Sequence, residues 1–530
     1  MKKIYTVFLL FIVATMLACY EDKGNYDYED ISELAISFDE YSYSTTFGEE
    51  VKIEPKFNIE IPEDSPRYSY IWYLNGETRP EWNKRIFTWT ADEVFKRGNV
   101  DLEVTDLKMN IVYMNRTSLN VTGIYENEYS WIILSDMDGK SHLSYFSNLE
   151  YDDEKDEFKK TKFYNDIYTS VNGEELGTGP IALQVHFRQG VNYKDEVIGN
   201  VCVFQKSGAV DLSGESFEKQ IDMIQAFDGG KYPEGAIIYP GTFMDRVDVL
   251  SDQRGRLYSR FKASSYVYNS EYFLPTPLCY EDETEPVEKC QVGRGFYRAN
   301  RTGYAFVYDG KNKRMLYVVN SGYSDEIAGA GKLTALPACG ENDKIDEIVP
   351  LDNMNGYELI KMAMFGYGYP NYGYFLLLRE ESTNKVFLQI VKVTGSNGRP
   401  KIVEVKLHEL KGLPGVPTLA AFPQDRPEYA FFAVGQEVYY VDLNNIGDPV
   451  EPYKSFNAKI TAMNAESPSN AHMAVGLENG EFYILQIWNA KNTPEEKRII
   501  YPVGEGAYPA DNKVGRIVDI QYKQLDHWNY

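Results

Sequence analysis

The sequence predicts an all-β chain: an N-terminal immunoglobulin-like β-sandwich over residues 31–124, followed by a β-propeller of about seven blades over residues 125–530. Three observations predict it. Short apolar strands separated by Gly-containing turns recur along the last four hundred residues, with turn centres near 138, 207, 254, 310, 382, 435 and 479, that is 44 to 72 residues apart. Blade repeats run at ~40–50 residues, so these spacings describe blades with loop insertions. Upstream, a period-two strand with Trp72 at its centre enters an Asn75-Gly76 turn, and several short strands share about 95 residues. The chain is also rich in tyrosine (43 of 530 residues), a side chain whose apolar body and polar tip suit half-buried strand faces and wet binding surfaces.

The first thirty residues set the location. Met1-Lys2-Lys3 is a basic start, Ile4 to Leu17 is almost continuously apolar, and Ala18 precedes Cys19. These are the parts of a secretory signal, and the apolar run is short for a ~30 Å hydrocarbon core. A small residue followed by Cys resembles the lipobox of bacterial lipoproteins, although Met16 stands where Leu is usual. The resemblance implies a signal peptide over 1–18, cleavage before Cys19 and acylation of its thiol. Glu21-Asp22 resembles the surface-export signal of Bacteroidetes-type lipoproteins. Residues 19–30 then read as a polar, acidic tether. No later stretch approaches eighteen apolar residues, so the membrane is reached through the N-terminal lipid alone.

At 530 residues the chain exceeds one ordinary core, and 25% charged with 43% hydrophobic residues is a globular composition. The net charge is −25, and loss of Lys2 and Lys3 with the signal takes it near −27. Such a charge repels phosphates and excludes nucleic acid as a partner.

In the sandwich, Leu34, Ile36 and Phe38 alternate, as do Val51 and Ile53. Tyr68 to Leu74 is the Trp72 strand, and Val100–Val104, Lys108–Tyr113 and Leu119–Thr122 read as three more strands. In the second part the repeating unit is strand, tight turn, strand: Tyr129 to Phe146 around Asp138-Gly139, Gly199 to Leu212 around Gly208, and Val247 to Ser259 around Gly255. It continues with Tyr304 to Val319 around Gly310, Tyr374 to Val393, Tyr429 to Asp442 around Gly435, and His472 to Leu485 around Asn479-Gly480. Each hairpin is read as the inner pair of a blade. A lone strand from Val514 to Tyr522 is placed to pair near residue 130 and close the ring.

Five Cys occur. With Cys19 lipidated, Cys202, Cys279, Cys290 and Cys339 remain in a compartment that permits disulfides. Cys279 and Cys290 flank a polar loop and are the disulfide candidates, while Cys202 sits in the apolar run Val201 to Phe204. Four Cys allow three pairings. No C-x-x-C, His-Glu-x-x-His, Gly-x-Ser-x-Gly or phosphate-binding Gly loop is present, and the five His are scattered. No catalytic residue, metal ligand or cofactor is therefore assigned. Asp136-x-Asp138-Gly139 lacks the further oxygens of a calcium loop and reads as turn chemistry. The acidic loop Glu281 to Glu288 reads as solvated.

The candidate ligand-binding residues are aromatic. Phe365 to Phe375 interleaves Tyr367, Tyr369 and Tyr372 with Gly and Pro, which predicts a loop bearing exposed rings, with Tyr323 as a companion. Rings on a loop stack on sugar faces or pack on a partner, and propeller connections gather at one mouth.

The segments Cys19-Tyr-Glu-Asp-Lys-Gly-Asn-Tyr-Asp-Tyr28, Trp72-Tyr-Leu-Asn-Gly-Glu77 (followed by Val104-Thr105-Asp106) and Trp131-Ile-Ile-Leu-Ser-Asp136 resemble the PKD-like family lipoproteins of Bacteroidetes. The resemblance makes the sandwich PKD-like. It implies a lipid-anchored outer-membrane protein facing the cell exterior, a non-enzymatic accessory of a SusC/SusD-type nutrient importer. The expected partners are that importer, other surface lipoproteins, and an oligopeptide or glycan. Two other readings stay open: a propeller-type hydrolase or lyase acting on glycan or peptide, and an adhesion or scaffold lipoprotein.

Overall fold

Strands on which both faces must be covered dominate the architecture. The computed structural model describes residues 34–526 except 63–64, 127–129, 153–156, 187–196, 199, 245–246, 262–271, 282, 294–302, 321–330, 369–370, 395–398, 425–426, 466–470, 504–507 and 524. The signal, the tether and Cys19 lie outside the described residues. Two compact units form: the described residues up to 45 with 49–91 and 95–120, and residues 46–48 with 92–94 and 121 onward. No helix among the described residues is long and apolar enough to cross a membrane.

In the first unit a four-stranded sheet runs in the order Ser42–Thr46, Ile111–Thr122, Phe95–Asp106, Tyr68–Leu74, beside the pairs Glu50–Ile53 with Phe87–Thr90 and Ile36–Ser37 with Lys56–Phe57. Trp72 is fully buried, with its ring 5.5 Å from that of Phe87 on the small sheet and its Nε1–H donating to Lys84 O at 2.9 Å. One side chain thus fills the space between sheets and satisfies its own polar atom. The Asn75-Gly76 turn has both residues at positive φ (52° and 86°), but it closes only a single bridge, from Leu74 to Glu77. The Trp72 strand pairs instead with Phe95–Asp106, Trp72 opposite Leu102. The strands expected at Lys108–Tyr113 and Leu119–Thr122 are one strand, Ile111–Thr122, and Lys108 to Asn110 is turn. Its first half is alternately exposed, so polar Asn115 and Arg116 needed no apolar pattern to stay in the sheet.

The second unit is a seven-bladed propeller. Blade 1 combines Ser130–Met137, Lys140–Asp152 and Glu157–Tyr164 with the C-terminal strand Arg516–Lys523. Blades 2 to 7 come next in chain order, opening with Pro180–His186, Ile238–Phe243, Gln291–Val292, Tyr357–Gly368, Leu419–Ala421 and Ile460–Asn464. All are four-stranded and antiparallel except blade 3, which has three strands among the described residues. From blade 2 to blade 7 each opening strand touches the next, and Arg516–Lys523 of blade 1 touches those of blades 2 and 7, so the ring of inner strands is closed. The closing strand pairs Tyr522 with Trp131, their rings edge-on at 5.0 Å.

The predicted hairpins are all present, but each is the middle pair of its blade, not the inner pair. The reason is burial. Ile132 and Leu134 face blade 2 while Trp131 and Ile133 face blade 7. Likewise Ala430 and Phe432 face blade 5, and Phe431 and Ala433 face blade 7. A middle strand is buried on both faces and so reads as a continuous apolar run, the strongest strand signal available. In blades 3 and 4 a buried aspartate ties the turn. Asp252 accepts from Arg254 N, Arg256 N, Arg256 Nε and Tyr258 Oη. Asp309 accepts from Asn312 and from Arg314 Nε.

The Cys279–Cys290 bridge does not form. Cys202, Cys279, Cys290 and Cys339 are free thiols. The polar loop is closed by backbone pairing of Cys279 with Pro286, while Cys290 N donates to Gly255 O at 3.1 Å on the blade 3 turn, which draws the second thiol away. Reducing agent is therefore expected to leave the thermal unfolding of the protein unchanged. A fall in Tm on reduction would contradict this. Glu281, Glu283 and Glu285 of the acidic loop are exposed, as a solvated loop requires, and two of them also pair with cations: Glu283 with Arg314 at 3.0 Å and Glu285 with Lys311 at 3.8 Å.

Candidate functional site

The blades are antiparallel, so the tight second-to-third turns leave one end of the propeller and the C-terminal ends of the inner strands lie at the other. Of the aromatic residues predicted to bind ligand, Tyr367 and Tyr372 belong to the end opposite the tight turns, at blade 5. They are not on a loop. Tyr367 lies in the strand Tyr357–Gly368 and Tyr372 in the strand Asn371–Glu380, with Tyr372 opposite Gly366. Gly373 makes space for a ring instead of bending a loop. A Cβ on Gly373 would sit 2.5 Å from the Phe365 ring and 2.8 Å from Val391 O. Tyr323 and Tyr369 lie outside the described residues.

The hairpin brings Tyr367 and Tyr372 to one strand end but to opposite faces of blade 5. Tyr372 packs against the core shared with blade 4, which contains Tyr304; Tyr367 packs against the core shared with blade 6. Both are half-buried. Tyr367 Oη donates to Val393 O at 2.9 Å, and Lys392 Nζ sits 5.8 Å from its ring centroid. Lys392 also pairs with Glu404 at 2.9 Å. Glu404 is held below the usual carboxylate range by its hydrogen bonds to Lys406 and Lys392. Burial pushes the Tyr304 phenol up, and the neighbouring Tyr367 and Tyr372 add to the shift. At this end of blade 5 the arrangement offers half-buried rings beside a paired lysine. Tyr367→Phe is expected to lower stability by about 1 kcal/mol, the worth of one ordinary hydrogen bond, in denaturant unfolding. A loss several times larger would mean that the hydroxyl holds more than Val393.

Sequence reasoning missed a buried polar cluster at the same end of the propeller, between blades 2 and 3. His186, the last residue of the strand Pro180–His186, places Nε2 2.7 Å from Asp211 Oδ1, and both side chains are fully buried. Asn200 Nδ2 donates to Asp211 Oδ2 at 3.3 Å, and the Phe243 ring stacks on the imidazole at 4.4 Å. On blade 3, Arg260 and Asp248 form an ion pair at 2.8 Å, with the guanidinium 4.6 Å from the Phe273 ring centroid. The signal was available: Asp211 and Asp248 interrupt the apolar runs Val210 to Leu212 and Val247 to Leu250, where a carboxylate needs a partner. Burial of these groups keeps them from solvent and substrate alike. Among the described residues no group of three His, Cys, Asp or Glu is placed to share a metal ion.

No curated protein matches the chain in sequence. Among solved structures it is similar to apo AztD from Citrobacter koseri, at 9% identity and a TM-score of 0.34, covering 86% of this chain and 97% of that one. It is also similar to the β-propeller domain of Cps50 (Swd1) from Myceliophteria thermophila, at 10% identity and a TM-score of 0.29, covering 58% of this chain and 99% of that one. Residues 19–180, which take in the first unit and the first three strands of blade 1, match the PKD-like family.

Proposed function

We propose that this protein is a lipid-anchored lipoprotein of the outer membrane, facing the cell exterior. In this reading it serves a SusC/SusD-type nutrient importer as a non-enzymatic accessory. Cys19 carries the lipid, residues 19–30 form the tether, and the propeller meets an oligopeptide or glycan, or the importer itself, through the end that bears Tyr367 and Tyr372. The observation that carries the reading is that the match to the PKD-like family begins at Cys19, the residue at which a processed lipoprotein would start. The net charge of −25 supports a body held off an anionic membrane by its tether.

The test is purification of the tagged full-length protein from its own cells in mild detergent, with the co-purifying proteins identified by mass spectrometry. A SusC/SusD-type pair recovered in stable amounts is the expected result. Recovery of the protein alone would refute the importer partnership. Cys19→Ala is expected to move the protein out of the membrane fraction, and retention of the variant in membranes would refute lipid anchoring through that residue.

A further inference from the structure

The turn end of blade 2, opposite the strand ends that carry Tyr367, holds a cavity of about 240 Å³. Its walls come from three places. Leu176 stands on the connection into blade 2. Gln205, Ser207, Gly208, Ala209 and Val210 form the middle hairpin. Asp222, Ile224 and Tyr232 lie at and beyond the end of the outer strand. The wall is built by close backbone approach: Gly177 has φ 141°, and a Cβ there would fall 2.4 Å from Gln205 Nε2 and 2.5 Å from Ser207 Oγ.

The polar lining has an unusual balance. Gln205 is buried and donates through Nε2 to Leu176 O at 2.8 Å, which ties the hairpin to the connection into the blade. Asp222 has Lys219 at 3.7 Å, but that lysine lies closer, at 2.8 Å, to Glu174. The Asp222 carboxylate is thus an acceptor with capacity to spare. Tyr232 Oη accepts from Ala209 N at 3.3 Å and Ser207 Oγ from Thr178 N at 2.9 Å. Each of those hydroxyls keeps its own proton for a further acceptor. The remaining walls, Leu176, Ala209, Val210 and Ile224, are apolar.

An ammonium supplies donors only and would leave both hydroxyl protons unmatched. A carboxylate supplies acceptors only and would face Asp222. A hydroxyl both donates and accepts. We propose that this cavity is a subsite for a single sugar ring, a neutral polyhydroxylated ligand whose hydroxyls meet Asp222, Ser207 and Tyr232 and whose C–H face lies on Ile224 and Val210. The volume, below the ~300–1,000 Å³ of sites for drug-sized ligands, suits one ring rather than an oligomer. The inference goes beyond the importer reading and does not depend on it, because it concerns binding by the chain alone.

The test uses the purified full-length protein in detergent, titrated with glucose, galactose, mannose and N-acetylglucosamine by calorimetry and by ligand-observed NMR, with ethanolamine and acetate as charged controls. Saturable binding of at least one sugar is expected, weakened about tenfold by Asp222→Ala and about tenfold by Tyr232→Phe, the loss expected for one hydrogen bond. Ile224 is at the exposed rim, so Ile224→Trp blocks the mouth without entering the core and is expected to abolish binding. Circular dichroism and Tm establish that each variant is folded. The proposal is overturned if no sugar binds, if ethanolamine or acetate binds in place of sugar, or if binding survives Ile224→Trp. A sugar that binds to a protein without importer partners would keep this proposal and remove the other.

Discussion

Arg260→Ala is expected to destabilise the propeller by about 3–5 kcal/mol, the usual cost of breaking a buried ion pair by removing one partner. Arg260 and Asp248 are both buried, the side chains 2% and 0% exposed, and they face one another across adjacent strands of blade 3. Removing the guanidinium takes a charged partner at 2.8 Å from the Asp248 carboxylate in the core between blades 2 and 3, and also removes the cation over Phe273. The double variant Arg260→Met, Asp248→Leu is expected to recover most of the loss, because apolar side chains of similar size carry no desolvation cost. Denaturant unfolding followed by tryptophan fluorescence and circular dichroism reads both. A double variant no more stable than Arg260→Ala would show that the pair is tied into the neighbouring polar cluster and does not act alone.

The second large effect belongs to Lys523, the last residue of the strand that closes the ring. Its side chain is 1% exposed and donates to the carbonyl of Tyr125, with the ammonium 5.2 Å from the Phe217 ring centroid and 5.5 Å from that of Tyr145. Burial pulls its pKa down to about 7 from 10.5, against the smaller opposing pull of Glu126 and Glu215. Between those two values the unfolded chain binds a proton that the folded chain does not. Stability from this group therefore rises with pH, by up to about 1.4 kcal/mol per unit. The window for observing it is pH 7 to 9, below the range in which tyrosines ionise. Lys523→Met keeps the apolar stem, removes the proton, and is expected to be more stable than the native protein at pH 7 by several kcal/mol. Its stability is expected to stay flat from pH 7 to 9. An unchanged pH slope in the variant would show that Lys523 is not the group responsible.

Local patterns announced the elements that are buried on two faces. The middle hairpins of all seven blades are legible because a strand covered on both sides must be apolar throughout, and because tight turns demand Gly, Asn or Asp at positive φ; the Trp72 strand is legible by its period-two alternation. Asp138-Gly139 and Asn75-Gly76 show that demand at φ 54° and 84°, and 52° and 86°. The short inner strands were harder to place. Gln291–Val292 and Leu419–Ala421 have two and three residues and no pattern of their own; they are strands because neighbours on the inner ring hold them.

The candidate site shows the same division. Tyr367 and Tyr372 were identifiable as residue types in a Gly-rich stretch, but composition carries no information about register. Only the pairing of Gly366 with Tyr372 puts one ring toward blade 4 and the other toward blade 6. Sequence by itself determined the all-β class, the hairpin repeat and the candidate lipidation residue, since each depends on neighbours within about ten positions. Tertiary structure alone decided which hairpin strand lies in the middle of a blade, that Cys279 and Cys290 stay apart, and that His186 meets Asp211 and Arg260 meets Asp248. Those outcomes depend on which faces of separate strands are pressed together once the ring closes, and burial then forces each polar group to take whatever partner lies opposite.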